Sequence, residues 1–93
     1  MTSEQKEVLI AEIREDFQIP PYQDDEIIGR AIEKCYARLS ALQGLSFDPD
    51  VDLVGKSLLC NAVYYELYHR YEEFELAWGP NILSWQLGAE VSE

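Results

Sequence analysis

Asp24-Asp25-Glu26-Ile27-Ile28-Gly29-Arg30-Ala31-Ile32-Glu33-Lys34-Cys35-Tyr36-Ala37-Arg38-Leu39-Ser40-Ala41-Leu42-Gln43-Gly44 sets the architecture of the chain. Its apolar residues Ile28, Ile32, Cys35, Leu39 and Leu42 recur at intervals of four, three, four and three, one stripe of an amphipathic helix. Three carboxylates open the run, where the positive end of a helix dipole stabilises them. Gly44 follows the last turn, as a C-terminal cap does. The pattern predicts a helix over residues 25–42.

Toward the N-terminus, Thr2 with Gln5 three residues later forms a capping-box signature. Leu9, Ile13 and Phe17 then share a stripe that Val8 widens, which predicts a helix over 3–17. Gln18-Ile19-Pro20-Pro21-Tyr22 ends it, because a residue before proline avoids the helical region. Toward the C-terminus, Leu45-Ser46-Phe47-Asp48-Pro49 connects to a third helix capped by Asp50 or Asp52. That helix carries Leu53, Val54, Leu58, Leu59, Ala62, Val63, Tyr65 and Leu67 on more than one face, the mark of a central helix. It fades through Tyr68, Tyr71 and Phe74 and is expected to end by Gly79. Pro80 suits the first turn of a short last helix over 80–87, with fraying from about 88. No segment alternates with period two as a strand does. The expectation is a single all-α domain over 1–93: three main helices plus a short C-terminal helix.

The 93 residues include 7 Lys and Arg against 18 Asp and Glu, a formal net charge of −11. Such a balance lacks the clustered cations that hold nucleic acid, and an anionic membrane surface would repel it. No run is apolar and long enough for a membrane helix, and the opening residues lack the apolar core of a signal peptide. Cys35 and Cys60 are too few for a disulfide scaffold and read as reduced, buried thiols. The charge is uneven: residues 1–26 hold two cations and eight anions, 27–56 four of each, and 57–93 one and six.

Arg30, Lys34 and Arg38, spaced by four, share one face of the second helix. They form either a basic ridge for an acidic surface such as Glu72, Glu73 and Glu75 on a partner or another copy, or local pairs such as Glu26 with Arg30. Trp78 and Trp85 either finish the core or anchor an interface. These eight residues, Arg30, Lys34, Arg38, Glu72, Glu73, Glu75, Trp78 and Trp85, are the candidate subunit or partner interface.

Catalytic and metal patterns are weak. Asp48-Pro49-Asp50-Val51-Asp52 begins like a calcium loop, yet Leu53 and Leu59 stand where the loop needs Gly and Glu. Glu66-Leu67-Tyr68-His69 has the Glu-x-x-His spacing of carboxylate-bridged di-iron bundles, but the chain holds one histidine. The cysteines lie in apolar helical runs without an electropositive neighbour. The reading assigns no catalytic residue, cofactor or metal ligand.

The layout resembles the head-tail connector, or adaptor, proteins of tailed bacteriophages over roughly residues 7–87. The resemblance is carried by Asp24-Asp25-Glu26 with Ile28, Ile32 and Leu39; by Asp52-Leu53-Val54 through Leu58-Leu59, Ala62-Val63, Tyr65 and Tyr68-His69-Arg70; and by Pro80-Asn81-Ile82-Leu83. The closing Trp85-Gln86-Leu87-Gly88 departs from the basic ending frequent in that family. The resemblance implies a structural, non-enzymatic role at the virion neck, with assembly in the host cytoplasm. Its expected partners are other copies of the chain in a ring, the portal protein and a downstream neck or tail-completion protein. DNA would pass through the ring without specific binding. Two competitors are an acidic DNA mimic or inhibitor that occupies a basic cleft, and a small metal-dependent enzyme built on Glu66 and His69.

Overall fold

Thr2 caps the first helix, α1 (Ser3–Asp16), through the capping box: its hydroxyl accepts from the Gln5 N–H, and the Gln5 side chain accepts from the Thr2 N–H. Asp24 caps α2 (Asp25–Gln43) by accepting from the Ile27 N–H, and Gly44, at φ 86°, closes it with a bond to the Ser40 carbonyl. Asp52 caps α3 (Leu53–Leu67) by accepting from the Gly55 N–H. The fourth helix, α4, is Tyr71–Val91. The structure, a computed structural model, describes residues 1–44 and 46–91, without the side chains of 89–91. The chain is an all-α bundle, with no strand among the described residues.

α2 and α3 form the central pair; α1 packs on α2 and the edge of α3, and α4 packs on α3 and the edge of α2. Leu9 and Ile13, then Ile28, Ile32, Cys35 and Leu39, then Leu58, Leu59, Ala62 and Val63, and finally Phe74, Ile82 and Trp85 make one core. Each large apolar side chain buried there contributes roughly 1.5–3 kcal/mol. Not every residue of the expected stripes joins it: Val8, Leu42, Leu53 and Val54 are exposed. Leu42 lies exposed in the last turn of α2, and Leu53 and Val54 lie exposed in the first turn of α3. The smallest dimension is 19 Å, two helix layers.

The boundary between the third and fourth helices differs from the sequence expectation. α3 stops at Leu67, and a Schellman turn follows: the Arg70 N–H bonds the Tyr65 carbonyl at 2.8 Å and the His69 N–H bonds that of Glu66 at 3.0 Å. His69 takes the left-handed position, φ 58°, that glycine usually fills. α1 ends the same way on Gln18, φ 50°, with Ile19 bonded to the Arg14 carbonyl. Pro80 then falls inside α4 instead of opening it. Gly79 before it has no Cβ to meet the proline ring. Pro80 itself is exposed, so the Leu76 carbonyl that loses its N–H partner faces water. Phe74 and Trp78 on one side of Pro80, Ile82 and Trp85 on the other, hold both halves to the core. α4 continues past Gly88 to Val91, beyond the expected onset of fraying; positions 92 and 93 lie outside the described residues.

Tertiary hydrogen bonds tie the helix ends together. Asp52 accepts a second bond, from the Trp85 indole N–H at 2.7 Å, and Phe47 meets the Trp85 ring edge-on with centroids 5.1 Å apart. A Cβ on Gly55 would sit 2.9 Å from both Asp52 Oδ2 and the Phe47 ring, so this corner admits only glycine without a shift. The Gln86 side chain donates to the Leu42 carbonyl at 2.6 Å, and the Gln5 side chain donates to Asp48 and Asp50, each at 2.8 Å.

Two outcomes are expected in thermal and urea unfolding. Asp52→Ala loses a helix cap and orphans a buried indole N–H, a destabilisation of about 2–3 kcal/mol. His69→Gly relieves a left-handed side-chain conformation and stabilises by about 1 kcal/mol, raising Tm by roughly 4–8 °C. A lower Tm for His69→Gly would contradict the Schellman assignment.

Candidate functional site

Arg30, Lys34 and Arg38 do lie along one face of α2, four residues apart, but each is answered from within the chain. Arg30 pairs with Glu26 one turn earlier at 3.4 Å, the local pair anticipated from the sequence. Lys34 and Arg38 converge on Glu66 of α3, at 3.4 and 2.7 Å. Glu66 is the better shielded partner, its side chain 17 % exposed. The Arg38 guanidinium also lies over the Tyr71 ring, 4.2 Å from its centroid. Hydrogen bonding to Glu66 holds the Arg38 pKa above its ordinary value against the opposing effect of burial.

Sequence spacing could not find Glu66 as the counter-ion, because it is 28 residues from Arg38. Helix packing creates the pair, and the same holds for Lys6 with Glu33, Arg14 with Asp25 and Lys56 with Glu12. Arg70 pairs locally with Glu73. All seven cations are thus committed to carboxylates of the same chain. Glu72, Glu73 and Glu75 sit at the start of α4, and only Glu73 is drawn into a pair. The outward field is therefore that of the surplus carboxylates.

The tryptophans take different positions. Trp85 is 6 % exposed and belongs to the core through Asp52 and Phe47. Trp78 is half-buried, stacked beyond Phe74 at a centroid distance of 6.3 Å. Tyr64 and Tyr68 are the exposed end of an aromatic cluster that includes Phe17 and Tyr65.

The weak chemical patterns acquire structural roles. His69 lies beyond the end of α3, so Glu66 and His69 do not share a helix face, and the Glu66 carboxylate is occupied by two cations. Asp48 accepts from the Asp50 N–H and from Gln5, Asp50 accepts from Gln5, and Asp52 caps α3. The three aspartates build a turn and a cap. Among the described residues no three His, Cys, Asp or Glu side chains converge as metal ligands, and no helix is long and apolar enough to cross a membrane. Cys35 is buried, whereas Cys60 is only partly so; both are free thiols. Burial pushes Cys35 up to about 12 and Cys60 up to about 11, away from thiolate chemistry.

These shifts fix an alkaline limit. Burial likewise raises Tyr71 to about 12, and the Glu12 hydrogen bond holds Lys56 above its ordinary value. The unfolded chain gives up these protons first, from about pH 9 for the thiols. Stability is accordingly full below pH 9 and lost progressively as pH rises toward 12. Urea midpoints measured from pH 7 to pH 11 are expected to fall only in the upper half of that range, and Cys35→Ala is expected to flatten the fall. A midpoint that does not move with pH would contradict the buried-thiol account.

Comparison with protein-family models, with curated proteins and with solved structures finds no match to this chain.

Proposed function

We propose that the chain is a self-assembling structural protein of the head-tail connector type, which forms a ring beneath the portal at the phage or prophage neck. Copies of the chain would extend the DNA channel, and the ring's far side would offer a platform to the next neck or tail-completion protein. The observation that carries this reading is the charge arrangement. Seven cations are all held by carboxylates of the same chain, so a net charge of −11 reaches solvent with no free basic patch. A conduit through which DNA slides must not grip it, and a carboxylate-lined wall repels phosphate. The all-α bundle and the segments from Asp24 to Leu83 that resemble the connector family support the same role.

An acidic mimic that fills a basic cleft draws on the same charge. Against it stands α4, whose outer side exposes Leu76, Leu83 and Leu87 where a mimic would show carboxylates. Native mass spectrometry over a concentration series, with negative-stain imaging, separates the two. Closed rings are expected, with little loss at raised salt. A strict monomer at every concentration that captures basic proteins in a salt-sensitive way would overturn the connector reading in favour of the mimic.

A further inference from the structure

We propose that the outer face of α4 is a ridge that docks a second copy of this chain, seated in that copy's groove between α4 and the loop leading into α3. The inference rests on the self-assembling reading above and supplies its contact. The inner face of α4 is Phe74, Trp78, Ile82 and Trp85. Leu76, Pro80, Leu83 and Leu87, spaced four, three and four, lie on the opposite side, roughly 180° around the helix. Leu76 is 83 % exposed, Leu83 56 % and Leu87 50 %. A helix apolar on both faces belongs between two partners. α4 packs on α3 and the edge of α2 through its inner face alone, and its outer face has no partner among the described residues of the chain.

The groove has a volume of about 790 Å³. Phe47 and Trp85 lie at its base, the exposed Val51 and Val54 form one wall, and Asn81 and Ser84 of α4 form the other. Ridge and groove thus flank the same helix at directions about 100° apart, and cannot meet within one chain. The ridge is apolar and the groove, though it includes Asn81, Ser84 and two aspartates, exposes more apolar than polar surface, the kind of patch that marks an interaction site.

Charge selects the occupant. From Leu76 through Gly88 there is no Asp, Glu, Lys or Arg, in a chain with 25 such residues. The two carboxylates at the groove accept from neutral donors of the same chain: Asp48 from Gln5 and the Asp50 N–H, Asp52 from the Gly55 N–H and the Trp85 indole. The groove has no cation in its lining, so an acidic segment is repelled there, and the ridge carries no charge of either sign for a charged partner to answer. The uncharged ridge of another copy matches it, and this pairing brings two chains of net charge −11 together without setting carboxylate against carboxylate. Because ridge meets groove, the contact is head-to-tail, the kind that repeats into a ring when its rotation closes.

The test uses the full chain with Leu83→Glu in the ridge, Val54→Glu in the groove, and Val8→Glu on the exposed side of α1 as a control for added charge. All three sites are exposed, so circular dichroism and Tm are expected to match wild type. Native mass spectrometry and sedimentation are expected to show assembly weakened at least tenfold by either of the first two changes and not by Val8→Glu. Mixing the ridge and groove variants is expected to restore pairing that stops at dimers, since each retains one intact half. Wild-type rings that persist in both variants would overturn this contact and leave the assembling role intact. Loss in each variant without recovery on mixing would overturn the head-to-tail arrangement in favour of a symmetric one. A wild type that stays monomeric at every concentration would overturn this contact, and the connector reading with it where the monomer also captures basic proteins in a salt-sensitive way.

Discussion

One carboxylate holds two helices. Asp52 accepts the Gly55 N–H at the start of α3 and the Trp85 indole N–H from α4, 33 residues away. The first bond starts the central helix where the connector delivers it; the second fixes the rotation of α4 about its own axis. Phe47 packs against the same indole, and the bare backbone at Gly55 leaves room for ring and carboxylate together. Once Trp85 is turned inward, Phe74, Trp78 and Ile82 follow it by helical periodicity. The leucines between them are left outside.

The charges obey a complementary constraint. Helix packing sets Glu66 between Lys34 and Arg38, Glu33 beside Lys6, Asp25 beside Arg14 and Glu12 beside Lys56, so five of the seven cations pin two helices together. Individually such part-exposed pairs contribute little, about 0–1 kcal/mol. Their collective effect is on what remains: a surface of uncompensated carboxylates interrupted by an uncharged, apolar strip on α4. Repulsion over most of the surface would confine any contact between copies to that strip, a source of specificity more than of affinity.

Local signals were legible in the sequence. The Thr2–Gln5 capping box, the acidic opening at Asp24, a cap for α3 at Asp50 or Asp52 (the structure uses Asp52), the Gly44 stop and the Ile28-to-Leu39 stripe each depend on residues within a turn or two of one another. The end of α3 was not legible, because its Schellman turn places histidine where glycine would have announced it. Gly79-Pro80 misled for the converse reason: a strong breaker is overridden when the lost bond faces water and aromatic anchors flank it. In the candidate site, the four-residue spacing found the basic face of α2, and Glu26–Arg30 was visible as a local pair. The pairing of Glu66 with Arg38 and the inward turn of Trp85 depend on residues about 30 positions apart, which single-sequence periodicity does not encode.

The far half of α4 is clamped at two neighbouring residues: Trp85 to the start of α3, and Gln86 to the Leu42 carbonyl at the end of α2. Folding has therefore already spent the conformational entropy of this segment, and the leucines that face away from the core are presented on a fixed scaffold. Association through that side would order few additional degrees of freedom. A surface of modest area held in this way keeps more of its hydrophobic gain as binding free energy than the same residues would on a loop.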